Sequence, residues 1–429
     1  MKRKKTSVLS SSFFSRHKVL ILLLLILVLH IFFRVYQLEE RNEFRWDQVD
    51  NAWVAKDIII DKKFPLLGAA VKQNSGFFLG PGYYYLITPF YWLFGLDPIA
   101  SGVFAAVTSV CTILVLFFIT KKVFSFHTAI IASFIYAISF YIIEADRVQW
   151  QANFIPPISL LIFYSLYKVC TGSAKHLLLL ALMIGISFHV HFTSIFYPVI
   201  LLLSIPFFPK KRDTVKYALI SLPLFFIWFV PHIISELVNK NEQAKNVTGY
   251  MTVYYHGFHL RRFLQLANDA FIEFGEIIFY KPLKFLRFIF YPLFCLVYLK
   301  EDKTRNRVVL CYLIGLWILV PWIGFSTYKG EIVGYYFSMT RLFAVIIVAY
   351  LLMRLFSVKQ FAFKMIGVSI IVAYTTLNIN AFFNVRYEGL IYHRQRVLEK
   401  IRQRKVVEFR QGVHESYLYY YYTKIKGMR

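Results

Sequence analysis

Long apolar runs recur along nearly the whole chain, and they decide what it can fold into. A helix that crosses a bilayer needs about 20 mostly apolar residues. Eleven runs approach or meet that length, near 18–36, 98–120, 127–143, 154–170, 176–190, 192–208, 217–236, 284–299, 308–325, 340–356 and 364–384. Hydrocarbon offers backbone N–H and C=O groups no partner, so such runs must pair their own backbone as helices. The fold class implied is an all-α polytopic membrane protein with about eleven transmembrane helices. The first run follows a basic N-terminus like that of a signal peptide. It is long, however, and no small-residue cleavage site follows it, so it reads as a retained span.

Charge sets the orientation. The chain carries 49 Lys and Arg against 23 Asp and Glu, a formal net charge of +26. The basic residues cluster in short segments between apolar runs, as the positive-inside bias requires, and form no detached nucleic-acid-binding domain. The stretch "YYYLITPFYWLFG" at 83–95 is short, contains Pro89 and is dominated by aromatics that favour the membrane interface. If it lies in the interface, the loops "KKVFSF", "KVCTGSAK", "PKKRDTVK", "KEDKTRNR" and "RLFSVKQFAFK" all share the side of the N-terminus. The short loops opposite then hold only Arg147, Lys329 and Arg341. If it crossed, that bias would invert. The expected topology therefore has a cytoplasmic N-terminus, an extracytoplasmic C-terminus, and residues 37–97 and 237–283 as large outer loops. Residues 1–385 form the membrane domain. Residues 386–429 form a small outer tail of helix, short strand and helix, an α/β addition to the all-α body.

The first outer loop carries the chemistry. It opens with "FRWDQVD", where Asp47 and Asp50 stand just beyond the first span. The following "NAWVAKDIIIDKKFPLLG" has the periodicity of an amphipathic helix lying on the membrane. Then comes "NSGFFLGPGYYYL", whose glycines permit close backbone approach. Carboxylates at the start of an interfacial helix sit at the depth of a lipid headgroup, where a positioned carboxylate suits proton abstraction from a hydroxyl. The plain structural alternative is that Asp47 caps the helix or pairs with Arg45.

The order of first span, "WDQ", amphipathic helix, "GPGYYYL", "LFGLDP" and "DRVQWQANFIP" resembles the bacterial relatives of protein O-mannosyltransferases and aminoarabinose transferases. These are GT-C glycosyltransferases that use a polyprenyl-phosphate sugar donor. The resemblance is strongest over residues 18–170. It implies that Asp47, followed by Gln48, is the catalytic base, with Asp50 as a second candidate. It implies that Lys329 and Tyr335 in "STYKGEIVGYYF", Arg147 in "EADRVQWQANF" and Arg262 in "HLRRF" approach the donor phosphate. Lys72 in "VKQNSG" is a further outer-facing cation within reach, and all of these cations have the alternative of anchoring to anionic lipid headgroups.

By the same resemblance the protein is a glycosyltransferase with an inverting mechanism. Its partners are the lipid-linked donor, the bilayer and an extracytoplasmic acceptor, which is a protein, a cell-wall polymer or a glycolipid. No cofactor is called for, with a divalent cation left open. His189 and His191 in "SFHVHFT" lack a neighbouring acid or thiol to complete a metal site and read as polar interface residues. Asn246 in "NVT" has the form of a glycosylation acceptor. The four cysteines lie in or beside apolar runs, without metal or redox spacing. The competing classes are a lipid-linked sugar flippase, which would place charge at mid-membrane in broken spans and matched halves, and a lipid-linked glycan polymerase or ligase. The runs hold almost no charge, which favours an enzyme acting at the surface.

Overall fold

The computed structural model describes residues 21–72, 75–239, 242–278, 281–408 and 413–428. All eleven expected runs fall on helices. Among the described residues, seven helices are long and apolar enough to cross a membrane, from Ile99–Val123 to Phe361–Asn384. An eighth candidate is the pair Phe126–Ile138 and Phe140–Asp146, bent by 69° at Ser139. The shorter apolar helices Ile21–Val35, His176–Ser187 and Phe192–Phe207 lie on the other three runs. The protein is thus a multi-pass membrane protein. The Gly82–Leu93 helix is not among the candidate spans, in keeping with its aromatic and proline content. No strand occurs among the described residues, which hold only the isolated bridges Ala70–Phe78 and Tyr255–Tyr328.

The helices Ile99–Val123, Phe126–Ile138, Ile155–Cys170, Arg305–Ser326 and Arg341–Ser357 form the packed centre, with most of their surface against protein. Trp317 sits fully buried there and donates its indole N–H to Ser159 Oγ at 2.7 Å. Ser159 in turn donates to the Met339 carbonyl at 2.8 Å, so three segments meet at one polar pin. The Arg212–Val238, Lys281–Glu301 and Phe361–Asn384 helices lie outside this centre and keep most of their apolar surface exposed, the arrangement a lipid solvent stabilises. An apolar groove of about 820 Å³ runs between the last two of these and the central helices.

Two buried ion pairs correct the expectation of nearly uncharged spans. Arg34, at the end of the first helix, bonds Asp146 Oδ2 through Nη2 at 2.8 Å. The same guanidinium donates to the carbonyls of Tyr136 and Ala137, which the bend at Ser139 leaves without helical partners. Asn378 takes up the other side of the break, its Oδ1 accepting Phe140 N–H at 2.7 Å. Glu273 and Arg341 form a two-pronged pair, both bonds 2.9 Å, joined by the Tyr141 hydroxyl. Both pairs lie at helix ends and pin outer segments to the bundle, whereas a transport site would place such charge at mid-membrane.

The first outer loop departs from expectation in one respect. The Trp46–Ile59 helix spends its inner face on protein, not on lipid. Val49, Ala52 and Ala55 are fully buried against the Gly82–Leu93 helix and the C-terminal tail. The tail also differs from the expected α/β form. It is two helical segments, Leu390–Arg402 and His414–Tyr420 with a wide π turn at Tyr421–Ile425, and residues 403–408 form no strand. Part of the expected strand falls outside the described residues. Its tyrosine run packs inward, with Tyr417 and Tyr421 buried and Trp53 edge-on to Tyr417 at 5.1 Å. Arg394 ties the tail down through Asp97 and through Glu39, the latter at 2.8 Å.

Gly80 and Gly82 earn their place by closeness. His189 Nδ1 accepts the Gly82 N–H at 2.9 Å and its Nε2 lies 2.7 Å from the Trp228 carbonyl. A Cβ at Gly80 would run into that imidazole. Gly80→Ala is expected to cost about 1–3 kcal/mol by overpacking, read as a lower thermal midpoint in detergent. Glu273→Ala strands a buried guanidinium and is expected to cost about 3–5 kcal/mol. An unchanged midpoint for Glu273→Ala would show the pair to be dispensable.

Candidate active site

Gln48 is the residue that turns a helix start into a site. Its Oε1 accepts the Arg45 backbone N–H at 3.1 Å, filling the role of a capping side chain at the N-terminus of the Trp46–Ile59 helix. Its Nε2 donates to the Gln149 carbonyl at 2.9 Å. One amide thus fastens the first outer loop to the loop at 147–150. The Tyr91 hydroxyl holds the same loop through Gln149 Oε1 at 3.2 Å. This brings the Trp150 indole beside the Asp47 carboxylate, where it favours the charged form.

Asp47 is exposed at the start of its helix, with enough protein nearby to weaken the hydration of its charge. Partial desolvation, and next the charge of Asp50, hold its carboxyl above the ordinary aspartate range, with the Trp150 bond opposing. Tyr84 faces the same two acids. Burial and their charges push its hydroxyl up to about 12. The capping alternative does not describe Asp47, since the N-cap residue is Arg45 and Asp47 already stands at the second position of the helix. Arg45 lies instead 3.8 Å from Glu43 and 3.7 Å from Glu388. The residue before the acid, Trp46, is exposed and has φ of 32°, a left-handed conformation that costs a bulky residue energy.

Aromatic contacts lead from the acid to the cations. Trp150 packs edge-on to Tyr335 with ring centroids 4.2 Å apart, and Tyr335 feels the Asp47 charge. Tyr335 meets Tyr336 at 4.7 Å, and His191 packs edge-on to the first and tilted against the second. Tyr336 in turn lies in the field of Lys72. The Lys72 ammonium sits 4.3 Å from the Tyr254 ring centroid and bonds the Tyr254 hydroxyl, which keeps it above the ordinary lysine range. Lys329 projects into solvent from the same loop, its backbone N–H donating to the Tyr254 carbonyl at 2.8 Å. Arg262 braces that loop by donating to the Gly330 carbonyl at 3.0 Å.

Of the residues read as phosphate ligands, Lys72, Lys329, Tyr335 and Arg262 therefore gather around one loop, 327–336. Arg147 lies elsewhere. It is buried, and its Nη atoms donate to the carbonyls of Phe33, Arg34, Tyr36 and Gln37, which caps the C-terminal end of the first helix. Those donors are spent on backbone, so the expected phosphate role does not fit its position. His189 and His191 are parted in space by their partners, the first on Gly82 and Trp228, the second on Thr193. Asn246 lies over Gly76, where a Cβ would meet its side chain. Sequence reading passed over Trp150, Gln149 and Glu43, although "VQW" stands inside one of the quoted motifs. A tryptophan in an apolar neighbourhood gives no sign of donating to a distant acid.

Residues 79–234 match the family model of the dolichyl-phosphate-mannose-protein mannosyltransferases. Among solved structures, ArnT from Cupriavidus metallidurans in the apo state superposes with a TM-score of 0.57 at 12% identity, covering 96% of this chain and 76% of that one. The form of ArnT bound to undecaprenyl phosphate gives 0.55 at 11% identity, with the same coverage. AglB from Archaeoglobus fulgidus, an archaeal oligosaccharyltransferase in complex with an inhibitory peptide and a dolichol-phosphate, gives 0.56 at 12% identity over 91% of this chain. The chain spans 58% of AglB's length. No curated protein matches by sequence. The resemblance to GT-C glycosyltransferases drawn from the sequence thus holds in both the family domain and the fold.

The two acids make a measurable pair. Asp50→Asn removes a charge that raises the Asp47 carboxyl, so the acid limb of a pH–rate profile governed by ionised Asp47 is expected to move to lower pH. A limb that stays in place would separate Asp50 from Asp47.

Proposed function

We propose that this protein transfers a sugar from a polyprenyl-phosphate-linked donor to an acceptor hydroxyl outside the cytoplasm, with Asp47 as general base. The observation that carries this reading is the Asp47 carboxylate beside Trp150, at one end of a run of aromatic contacts whose other end holds Lys72. The family domain over residues 79–234 supports it, as do the lipid phosphates named for ArnT and AglB.

The chemistry follows from that placement. A carboxylate held above its ordinary pKa is a better proton acceptor while still ionised near neutrality. The acceptor oxygen forms a bond to the anomeric carbon as its proton passes to Asp47. The bond from that carbon to the phosphate oxygen breaks, and both electrons leave with the lipid phosphate. A single displacement of this kind inverts the anomeric configuration. Lys72 and Lys329 stabilise the developing phosphate charge, and the hydroxyls of Tyr335 and Tyr336 supply uncharged donors beside them. Arg262 acts through the loop, by holding the Gly330 carbonyl. The site faces the side opposite the basic loops, and the tail shares that side.

Transfer of a preassembled oligosaccharide is the second reading, favoured by the likeness to AglB. Donors carrying one sugar and several sugars separate the two.

Asp47→Asn is expected to lower turnover about 10²–10⁴-fold, the usual worth of a general base, with donor binding retained. The measurement is release of polyprenyl phosphate from a labelled donor by the purified protein. Unchanged turnover would remove Asp47 from the mechanism. Lys72→Ala is expected to raise the KM for donor more than it lowers kcat, and equal donor affinity would dismiss its phosphate role.

A further inference from the structure

Two cavities meet beside Trp150 and Tyr335, the inner one mainly apolar and the outer one of mixed polarity. The inner one, about 300 Å³, is bounded by Trp150, Tyr335 and Arg341, the side of the site that carries Asp47's partner. The outer one, about 360 Å³, lies between the first outer loop and the start of the tail. Glu43, Glu144 and Val148 line both, so the two are compartments of one cleft.

The outer compartment has an unusual wall. Arg41, Arg45 and Arg386 face Glu43, Glu144 and Glu388 across it, with Tyr387 between. Its floor is fixed. Arg41 is buried, donates to the Phe382 carbonyl at 2.8 Å and stacks over the Tyr387 ring at 4.9 Å. Tyr387 donates its hydroxyl to Glu144. Its rim is free to meet a ligand. Arg386, Glu388 and Glu43 are exposed, and the ion pairs of Arg45 to Glu43 and Glu388 are long.

Resting on the transferase reading above, we infer that the outer compartment is the acceptor subsite and that the acceptor is a saccharide, with Glu43 at the junction as a specificity-determining residue. Each sugar hydroxyl both donates and accepts, so a wall that alternates guanidinium donors with carboxylate acceptors matches a polyol on both counts. A simple anion would meet three carboxylates among the four arginines of the lining, of which Arg41 and Arg147 already donate to backbone carbonyls. A Ser- or Thr-bearing peptide finds only Val148 and Val385 as aliphatic surface for its side chains. Hydrocarbon finds its match in the apolar groove between the membrane helices instead. A ring seated beside Tyr387 presents its far hydroxyls past Glu43 to the inner compartment, on the side of Trp150 and Tyr335.

The test is donor-free binding to the full-length protein in detergent, by saturation-transfer NMR. The probes are a mixture of hexose and N-acetylhexosamine mono- and disaccharides at millimolar concentration and, separately, a Ser/Thr-rich peptide. The saccharides are expected to bind. Glu43→Gln and Arg386→Ala are each expected to weaken them about tenfold, the loss of one charge-assisted hydrogen bond. Gln keeps the size of Glu, and Arg386 is exposed, so thermal midpoints should stay near that of the parent chain. Absence of saccharide binding, saccharide binding unchanged in both variants, or binding of the peptide in their place would each overturn the inference. Because no donor is present, this outcome is independent of the turnover measurement on Asp47→Asn.

Discussion

Backbone groups freed inside a membrane protein have to find partners, and here two arginines exchange that service. Arg34, on the first helix, serves the carbonyls left open where the third expected run breaks at Ser139. Arg147, just past the end of that broken run, serves four carbonyls at the end of the first helix. Asp146 sits between them and balances Arg34. An unpaired backbone group in a low-dielectric setting costs several kcal/mol, so neither helix end is stable without the other. The clasp also delivers Gln149 and Trp150, the next residues but one, to the start of the first outer loop. The active-site geometry is a by-product of solving a solvation problem.

The acid's environment is then built from outside. Phe44, Val49, Ala52 and Ala55 belong to a small core that includes Tyr83, Ile87 and Tyr91 of the aromatic helix and Leu390, Val397 and Tyr417 of the tail. Asp47 sits at the one end of its helix that this core leaves open. Burial raises its carboxyl, and Asp50, one helical turn on, adds to the effect. Trp46 absorbs the local strain in a left-handed turn while its ring stays exposed. The tail, remote in sequence, is part of the packing that holds the Trp46–Ile59 helix, and Arg394 fixes it through Asp97 and Glu39.

Much of the site was legible because its residue types are out of place in an apolar chain. Asp47 stood out as an acid beside a span, and Lys72, Lys329 and Arg262 stood out as cations in segments otherwise poor in charge. Arg147 misled for the same reason. A cation in a short outer loop looks available, and its use on distant carbonyls depends on where another helix ends. Glu43 passed unread because "LEERNEF" holds three glutamates and only packing separates them. The amphipathic pattern of residues 51–68 points to a helix, and the helix runs instead from Trp46 to Ile59, beginning at the acidic turn and stopping before the lysines. Whether lipid or protein covers its inner face depends on a tail more than three hundred residues later.

The sequence by itself determined the solvent of this protein and its helices, because span length and apolar content are local properties. Tertiary structure alone decided which charged groups are free to act. Donors and acceptors are limited in number, and each one spent on a freed carbonyl or a buried partner is lost to a substrate. Only the assembled chain shows which of them have been spent.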